Sequence, residues 1–438
     1  MKKKFLLTTA LTLALTSPLA FTTGPVYADE GHDDEKSGIE YQMFMGSRQI
    51  KGEIPSHEMN SKLFVPLRLT AEELGYEVKW DPDTKTVDLL KNNQFYKNII
   101  PDHMMGGRSM VSLDVLSSYA ENMNIKVTKG SINLFKKSSV SLSQRGYVVM
   151  GPGNAVISFD MKTNDIIAIY NDTEIPAAKK AHGLAVSPDG KKLYVSSMVE
   201  SEVSVFDLEK ESLEASIPVG FKTHHIEVNP NGKYVYVTEL KGSKISVIDT
   251  KTNQVVKTVT TGKGTYLPYL SQDGSKLFVT NKVDNNVVVI DTITNEIIKT
   301  FATGKAPSHI AFDDQTETLY VTNTGDGTIS IINENENITV SVGKDPHGIG
   351  ISDDLIFVAN AGDETLTLIS KKDLSVIETK IIGKTPGHIS ISPDGGYVYV
   401  QVEGEKKVLI LDATTGKVLE SIHLISDGHQ TSFPKNNN

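Results

Sequence analysis

The stretch LYVTNTGDGTISIIN, Leu319 to Asn333, is the clearest copy of a phrase that recurs from about residue 140 to the end of the chain. Two short apolar, β-branched runs flank Gly325-Asp326-Gly327, which is the turn chemistry of a β-hairpin. The aromatic of the phrase returns as Tyr147, Tyr194, Tyr236, Phe278, Tyr320, Phe357 and Tyr399, at steps of 47, 42, 42, 42, 37 and 42 residues. Thirteen residues after each stands Asp160, Asp207, Asp249, Asp291, Asn333, Ser370 or Asp412. Seven identical spacings define an internal repeat, and a repeat decides the fold before any single segment does.

Each unit holds four short β-type runs, as in HGLAV, KKLYVSS, EVSVFD and SLEASIPVG. Turn residues separate them: Pro188-Asp189-Gly190, Pro230-Asn231-Gly232 and Pro393-Asp394-Gly395 follow the first run. The recurring Asp closes the third run, where its carboxylate is expected to accept backbone N–H bonds of the next turn, a structural role. Four strands every 42 residues or so predict an all-β seven-bladed propeller over 139–438, which removes exposed sheet edges by radial stacking. The blade built on Tyr147 lacks an inner strand before it, while HQTSFP (His429 to Pro434) aligns with HISISP (His388 to Pro393), so the C-terminal strand is expected to complete the first blade. The repeated motifs, over about 300 residues, resemble the YVTN-type β-propeller family.

Ahead of the propeller, residues 39–138 read as a small α+β domain. KLFVPLRLTAEELGYEVKWDPDTKTVDLL runs strand, helix, then a hairpin at Asp81-Pro82-Asp83, and GRSMVSLDVLSSYAENMNIKVTKGSINLF is a weaker echo. VPLR, ELGYEV-W and the repeat resemble the copper amine oxidase N-terminal-like (stalk) domain; the resemblance implies a spacer or wall-contact role. None of the matched residues forms a copper ligand set.

The first 28 residues have the form of a signal peptide, with Lys2 to Lys4, an apolar stretch and small residues before a cut after Ala28. Residues 29–38, DEGHDDEKSG, form an acidic spacer. An exported protein, secreted or associated with the cell surface, is therefore expected, with no transmembrane segment in the mature chain. The absence of cysteine excludes disulfides, thiolate ligands and c-type haem. The formal charge is −10, and loss of the signal lysines makes the mature chain more acidic still, which argues against nucleic acid as a partner.

One chemically unusual pattern lies on the predicted inner strands. Of eleven histidines, seven fall in two adjacent columns at the strand start: His182, His224 and His347 in the first, His225, His309, His388 and His429 in the second. Chance placement would put fewer than one histidine in those fourteen positions. Inner strands line a propeller's channel, so these seven are candidate ligands for zinc or copper, with Tyr266 and Glu227 as candidate contacts for a small ligand. Strand alternation predicts that the two columns point toward different neighbouring blades. His182 then meets either His225 or His429, and His347 meets either His388 or His309.

A competing expectation is that each rim imidazole only bonds a nearby carbonyl. The function class favoured is a noncatalytic binding or scaffold module whose partner is a protein, the cell wall or a small ligand. The alternative is a propeller hydrolase or lactonase using the same mouth, but such chemistry needs carboxylates. Only Glu227 stands on an inner strand, so no catalytic residue is assigned. The histidine channel also resembles the propellers of nitrous oxide reductase and haem-containing nitrite reductase. The cysteine-dependent copper and haem sites that accompany those propellers cannot form here.

Overall fold

The computed structural model describes residues 40–45, 48–51, 56–59, 62–105, 108–120, 123–128, 131–136 and 139–434. The expected signal peptide and acidic spacer lie outside them. Two compact units divide these residues: 56–116, and a larger unit of 40–51 with 117–434. No helix among the described residues is long and apolar enough to cross a membrane.

The smaller unit is rich in β structure. Strands Ser56–Met59, Lys62–Pro66, Arg108–Ser112 and His103–Met105 pair in that order, and Glu77–Asp81, Thr86–Lys91 and Gln94–Ile99 form a second sheet. Between them the helix Leu67–Glu73 buries Leu67, Thr70 and Ala71. At the predicted hairpin, Asp81 Oδ1 accepts the N–H groups of Asp83 at 2.9 Å and Thr84 at 3.3 Å. In the larger unit, Met123–Thr128 and Ser131–Lys136 pair with Val127 opposite Ile132, and Glu40–Met45 lies parallel to the latter strand. Phe135 from this hairpin is buried with Val148, Ile157 and Phe433 of the repeat region.

The repeats fold as a β-propeller. Seven four-stranded antiparallel sheets occur among the described residues, one per repeat. The second is representative: Ala181–Val186, Lys192–Ser197, Glu202–Asp207 and Ser212–Pro218 run from the inner strand outward. Its inner strand is buried at every residue and its outer strand is largely exposed. In the first sheet the inner position is taken by Gln430–Ser432, which pairs antiparallel with Arg145–Met150, Thr431 opposite Val148. This short strand also bonds to both neighbouring inner strands, through a side chain on one side and its backbone on the other. Ser432 Oγ accepts the Val186 N–H at 3.3 Å, and Ser390 Oγ donates to the Thr431 carbonyl at 2.8 Å.

Apolar side chains between consecutive sheets form seven buried clusters, including one that joins the seventh sheet to the first. The repeat aromatics sit in these clusters, which is why their spacing is strict: each must stay in register with two sheets at once. The recurring Asp does the turn work expected of it. Asp207, Asp249, Asp291 and Asp412 each accept two backbone N–H bonds from the residues two and three positions on, at 2.7–3.1 Å.

The inner strands share an irregularity that positions the histidines. Pairing slips between Ala181 and Leu184, Thr223 and Ile226, Thr265 and Pro268, Pro307 and Ile310, Pro346 and Ile349, and Pro386 and Ile389. In each case two inner-strand residues face one on the second strand, which is a β-bulge. In four consecutive sheets the residue facing the bulge is a hydroxyl: Ser196, Thr238, Thr280 or Thr322. It accepts the bulge N–H of Gly183, His225, Leu267 or His309 at 2.9–3.1 Å. The same hydroxyl then donates to a carbonyl of the next sheet's bulge, as Thr322 does to His347 at 2.8 Å and Thr238 to Tyr266 at 2.8 Å. The Thr of the repeated YVTN phrase thus joins neighbouring sheets at the level of the histidines.

Candidate metal centre

Six of the seven histidines occupy bulge residues, and His429 stands just before Gln430–Ser432, whose pairing with Arg145–Met150 shows no slip. A bulge suspends strict alternation, so consecutive residues such as His224 and His225 both turn to the same interior space. This corrects the either-or geometry expected from alternation. His182 lies against both His225 and His429, with ring centroids 4.5 and 3.9 Å apart, and His309 lies against both His347 and His388, at 4.4 and 4.3 Å. Contacts also cross the interior, with His225 5.2 Å from His388. At two of the bulges that carry only one histidine, a neighbouring backbone keeps the other position glycine. A Cβ on Gly183 would lie 2.7 Å from the His224 carbonyl oxygen, and one on Gly348 2.3 Å from that of Gly387.

All seven predicted histidines and Tyr266 therefore meet in one cluster. His309 Nε2 is 3.2 Å from His388 Nε2, and His388 Nε2 is 3.1 Å from His429 Nε2. Nitrogens bound to one tetrahedral zinc at 2.0–2.1 Å are separated by about 3.3 Å, so these spacings suit coordination as well as hydrogen bonding. Two sets of three imidazoles each place their ligand nitrogens within 4.8 Å of one another: His182, His224 and His225, and His225, His309 and His388. Every member is buried.

Burial, with the neighbouring imidazoles second, holds His182, His225, His309 and His388 well below the ordinary histidine value. His224 and His347 are lowered to about 3, again chiefly by burial and then by His429. At neutral pH these six rings are uncharged and carry the lone pairs that a metal needs. They are also undersatisfied. Nδ1 of His182, Nδ1 of His224 and both ring nitrogens of His225 are buried with no hydrogen-bond partner among the described residues. Buried polar groups are normally paired. The expectation of rim histidines bonded to carbonyls holds for His224, whose ring meets the Tyr266 backbone, but does not describe His225, which has no partner on either nitrogen among the described residues.

Tyr266 packs 4.7 Å from His224 and 4.9 Å from His225, and its hydroxyl lies 3.3 Å from His347 Nε2. Burial, then the Glu403 charge, raises its phenol above the ordinary range. Glu227 belongs to neither imidazole set. It lies further along its strand, where its charge adds to the burial that pushes the Tyr269 phenol up to about 12.

Two residues at the cluster went unassigned in the sequence. Glu403 Oε1 lies 2.8 Å from His429 Nδ1 and can accept its proton, while His429 Nε2 faces His388. Such a carboxylate behind an imidazole is a common means of orienting a metal ligand. Lys282 Nζ lies 4.1 Å from the centre of the Tyr266 ring, and burial lowers its ammonium. Both stand four residues after a repeat aromatic, Tyr399 and Phe278. That column otherwise holds Gly151, Met198, Leu240, Thr324 and Ala361, so the repeat alignment carries no signal for them.

Comparison with known proteins agrees with the architecture. Residues 200–338 match the YNCE-like beta-propeller family and residues 44–100 match the copper amine oxidase N-terminal domain. No curated protein matches the chain in sequence. Among solved structures, hydrazine synthase of Kuenenia stuttgartiensis is 17% identical with a TM-score of 0.56, over 64% of this chain and 98% of that one. The periplasmic gluconolactonase of Pseudomonas aeruginosa is 16% identical with a TM-score of 0.54, over 66% and 98%. A 6-phosphogluconolactonase-like protein of Bacteroides fragilis is 16% identical with a TM-score of 0.55, over 67% and 99%. At these identities the likeness is one of fold.

Proposed function

We propose that the chain is an exported, noncatalytic binding propeller that holds a transition metal, zinc or copper, on the imidazoles at one end of its inner strands. The seven sheets are read as seven blades of one ring, which the C-terminal strand closes by completing the first blade. The stalk-like domain at 39–138 is the spacer that presents it at the cell surface. One observation carries the metal reading: His225 is fully buried, uncharged and without a partner on either ring nitrogen, between two sets of imidazoles whose nitrogens converge. A hydrogen-bonding role would have given those nitrogens acceptors or donors, whereas a metal accounts for their lone pairs and for their number.

Carboxylates are absent from both sets, so the hydrolase reading gains nothing from the site's chemistry. Zinc or copper titration of the full chain by calorimetry tests the proposal. Saturable binding at or below micromolar metal is expected, weakened more than about 100-fold by His388→Ala, since loss of a ligand should exceed the 10–100-fold seen for outer partners. Absence of binding at micromolar metal overturns it. Lactone turnover that disappears in Glu227→Gln would replace it with the enzyme.

A further inference from the structure

We infer that the histidine cluster holds two metal ions rather than one, bridged by the ring of His225 as an imidazolate. This rests on the metal-binding reading above and adds its stoichiometry and the nature of the bridge.

The two imidazole sets have a single member in common. The ring centroids of His182 and His224, from one set, are 4.5 and 4.3 Å from that of His225, and those of His309 and His388, from the other, are 5.7 and 5.2 Å from it. A ring that served one ion would leave its second nitrogen as a buried N–H in need of an acceptor. Ligating histidines almost always give that proton to a carboxylate, carbonyl or water. His429 follows this rule through Glu403. His225 does not: its other nitrogen meets no acceptor among the described residues. Its surroundings suit a ring with metal on both sides.

The charges support the same assignment. Two divalent ions in a buried site surrounded by neutral imidazoles would repel strongly. An imidazolate places one negative charge between them. In the bridging step neutral His225, already bound to the first ion through one nitrogen, loses the proton from the other. That nitrogen's electron pair forms the bond to the second ion, and the proton passes to solvent. No electron is transferred and no co-reactant is needed.

The full chain is loaded with Zn²⁺ alone or Cu²⁺ alone, freed of excess by gel filtration, and assayed for metal per chain by mass spectrometry. Two ions per chain are expected. Two Cu²⁺ ions joined by imidazolate couple antiferromagnetically, so the integrated low-temperature paramagnetic resonance signal should fall well short of the bound copper. His225→Gln should abolish that coupling and reduce loading to one ion or fewer. If this variant does not fold, His182→Ala and His309→Ala, on opposite sides of the bridge, should each retain one uncoupled ion. One ion per chain in the parent protein overturns the inference while leaving the metal-binding reading intact, as does a pair of ions with full copper signal. No bound metal at all overturns the earlier reading itself.

Discussion

Among the described residues histidines gather in two places, half-buried in the smaller unit and largely buried in the propeller, and only the second has the makings of a site. In the smaller unit His57 and His103 lie 5.4 Å apart, each packed on Phe64 at 5.8 and 4.5 Å, and His103 has both ring nitrogens buried without a partner. In the propeller seven imidazoles converge, and two sets of three bring their nitrogens within 4.8 Å. An orphaned buried nitrogen is common to both, so that alone does not make a metal centre. The difference is in the number of lone pairs directed at one point, and that follows from backbone geometry. Two adjacent strands of a flat sheet can offer a facing pair, whereas bulged inner strands around one channel can offer a whole ring of ligands.

The largest expected consequence concerns pH. Unfolded histidine titrates near 6.5, while six imidazoles of the propeller cluster have lowered values when folded, two of them about 3. Above pH 6.5 both states are neutral and the groups contribute nothing to pH dependence. Below it the unfolded chain takes up protons that the folded chain refuses. Stability therefore falls as pH falls, until the folded rings themselves protonate. Each ring contributes up to about 1.4 kcal/mol per pH unit. The metal-free propeller should lose on the order of 10 °C in melting midpoint between pH 7 and pH 5, followed by circular dichroism with a chelator present. Saturating metal should raise the midpoint across this range, because it binds only the folded chain, but should not shrink that loss, since the folded rings are already neutral at both pH values. A midpoint that is flat over this range breaks the comparison, since the smaller unit has only His103 lowered in the same way. The double variant His57→Ala, His103→Ala sharpens it: bound metal per chain should not change.

Much of this was legible before any coordinates. The seven aromatics report the sheets because each is locked between two of them, and the composite first sheet follows from the likeness of His429–Pro434 to His388–Pro393. The histidine columns were legible because they share a repeat position. Their relation was not, since period-two alternation is a property of regular strands and six of the seven sit on bulges. Bulges leave no mark here except, in four sheets, the facing Ser or Thr, which reads equally well as an ordinary strand residue. Glu403 was hidden for another reason. It lies in the short turn Glu403–Glu405, where an acid is unremarkable until the ring of His429, 26 residues on and next to another sheet's inner strand, is placed beside it.

Glu403 yields the next smaller effect. Glu403→Gln keeps the shape but replaces a charged acceptor by a neutral amide, so His429 loses its fixed tautomer and part of its basicity. Metal affinity should drop about 10–100-fold, the range for partners behind a ligand, measured by competition with a chromophoric chelator. Glu227→Gln, at a carboxylate outside both imidazole sets, should leave affinity unchanged, and equal losses in the two variants would mean a general charge effect.

The smallest expected effect tests the scaffold beneath the ring. Thr322 accepts the His309 N–H at 2.9 Å and donates to the His347 carbonyl at 2.8 Å, so one hydroxyl holds the bulges of two sheets. Thr322→Ala should cost about 1 kcal/mol in denaturant unfolding, the usual net worth of a buried neutral hydrogen bond. Thr322→Ser should recover most of it. The sixth sheet already has Ala359 at this position and still forms its bulge, so the bulge itself should survive in the alanine variant. Any loss of metal affinity should therefore come from looser placement of His309 and His347, and should be smaller than that of Glu403→Gln. If Thr322→Ala instead removed metal binding outright, the ligand geometry would depend on this hydroxyl far more than on the apolar clusters between sheets.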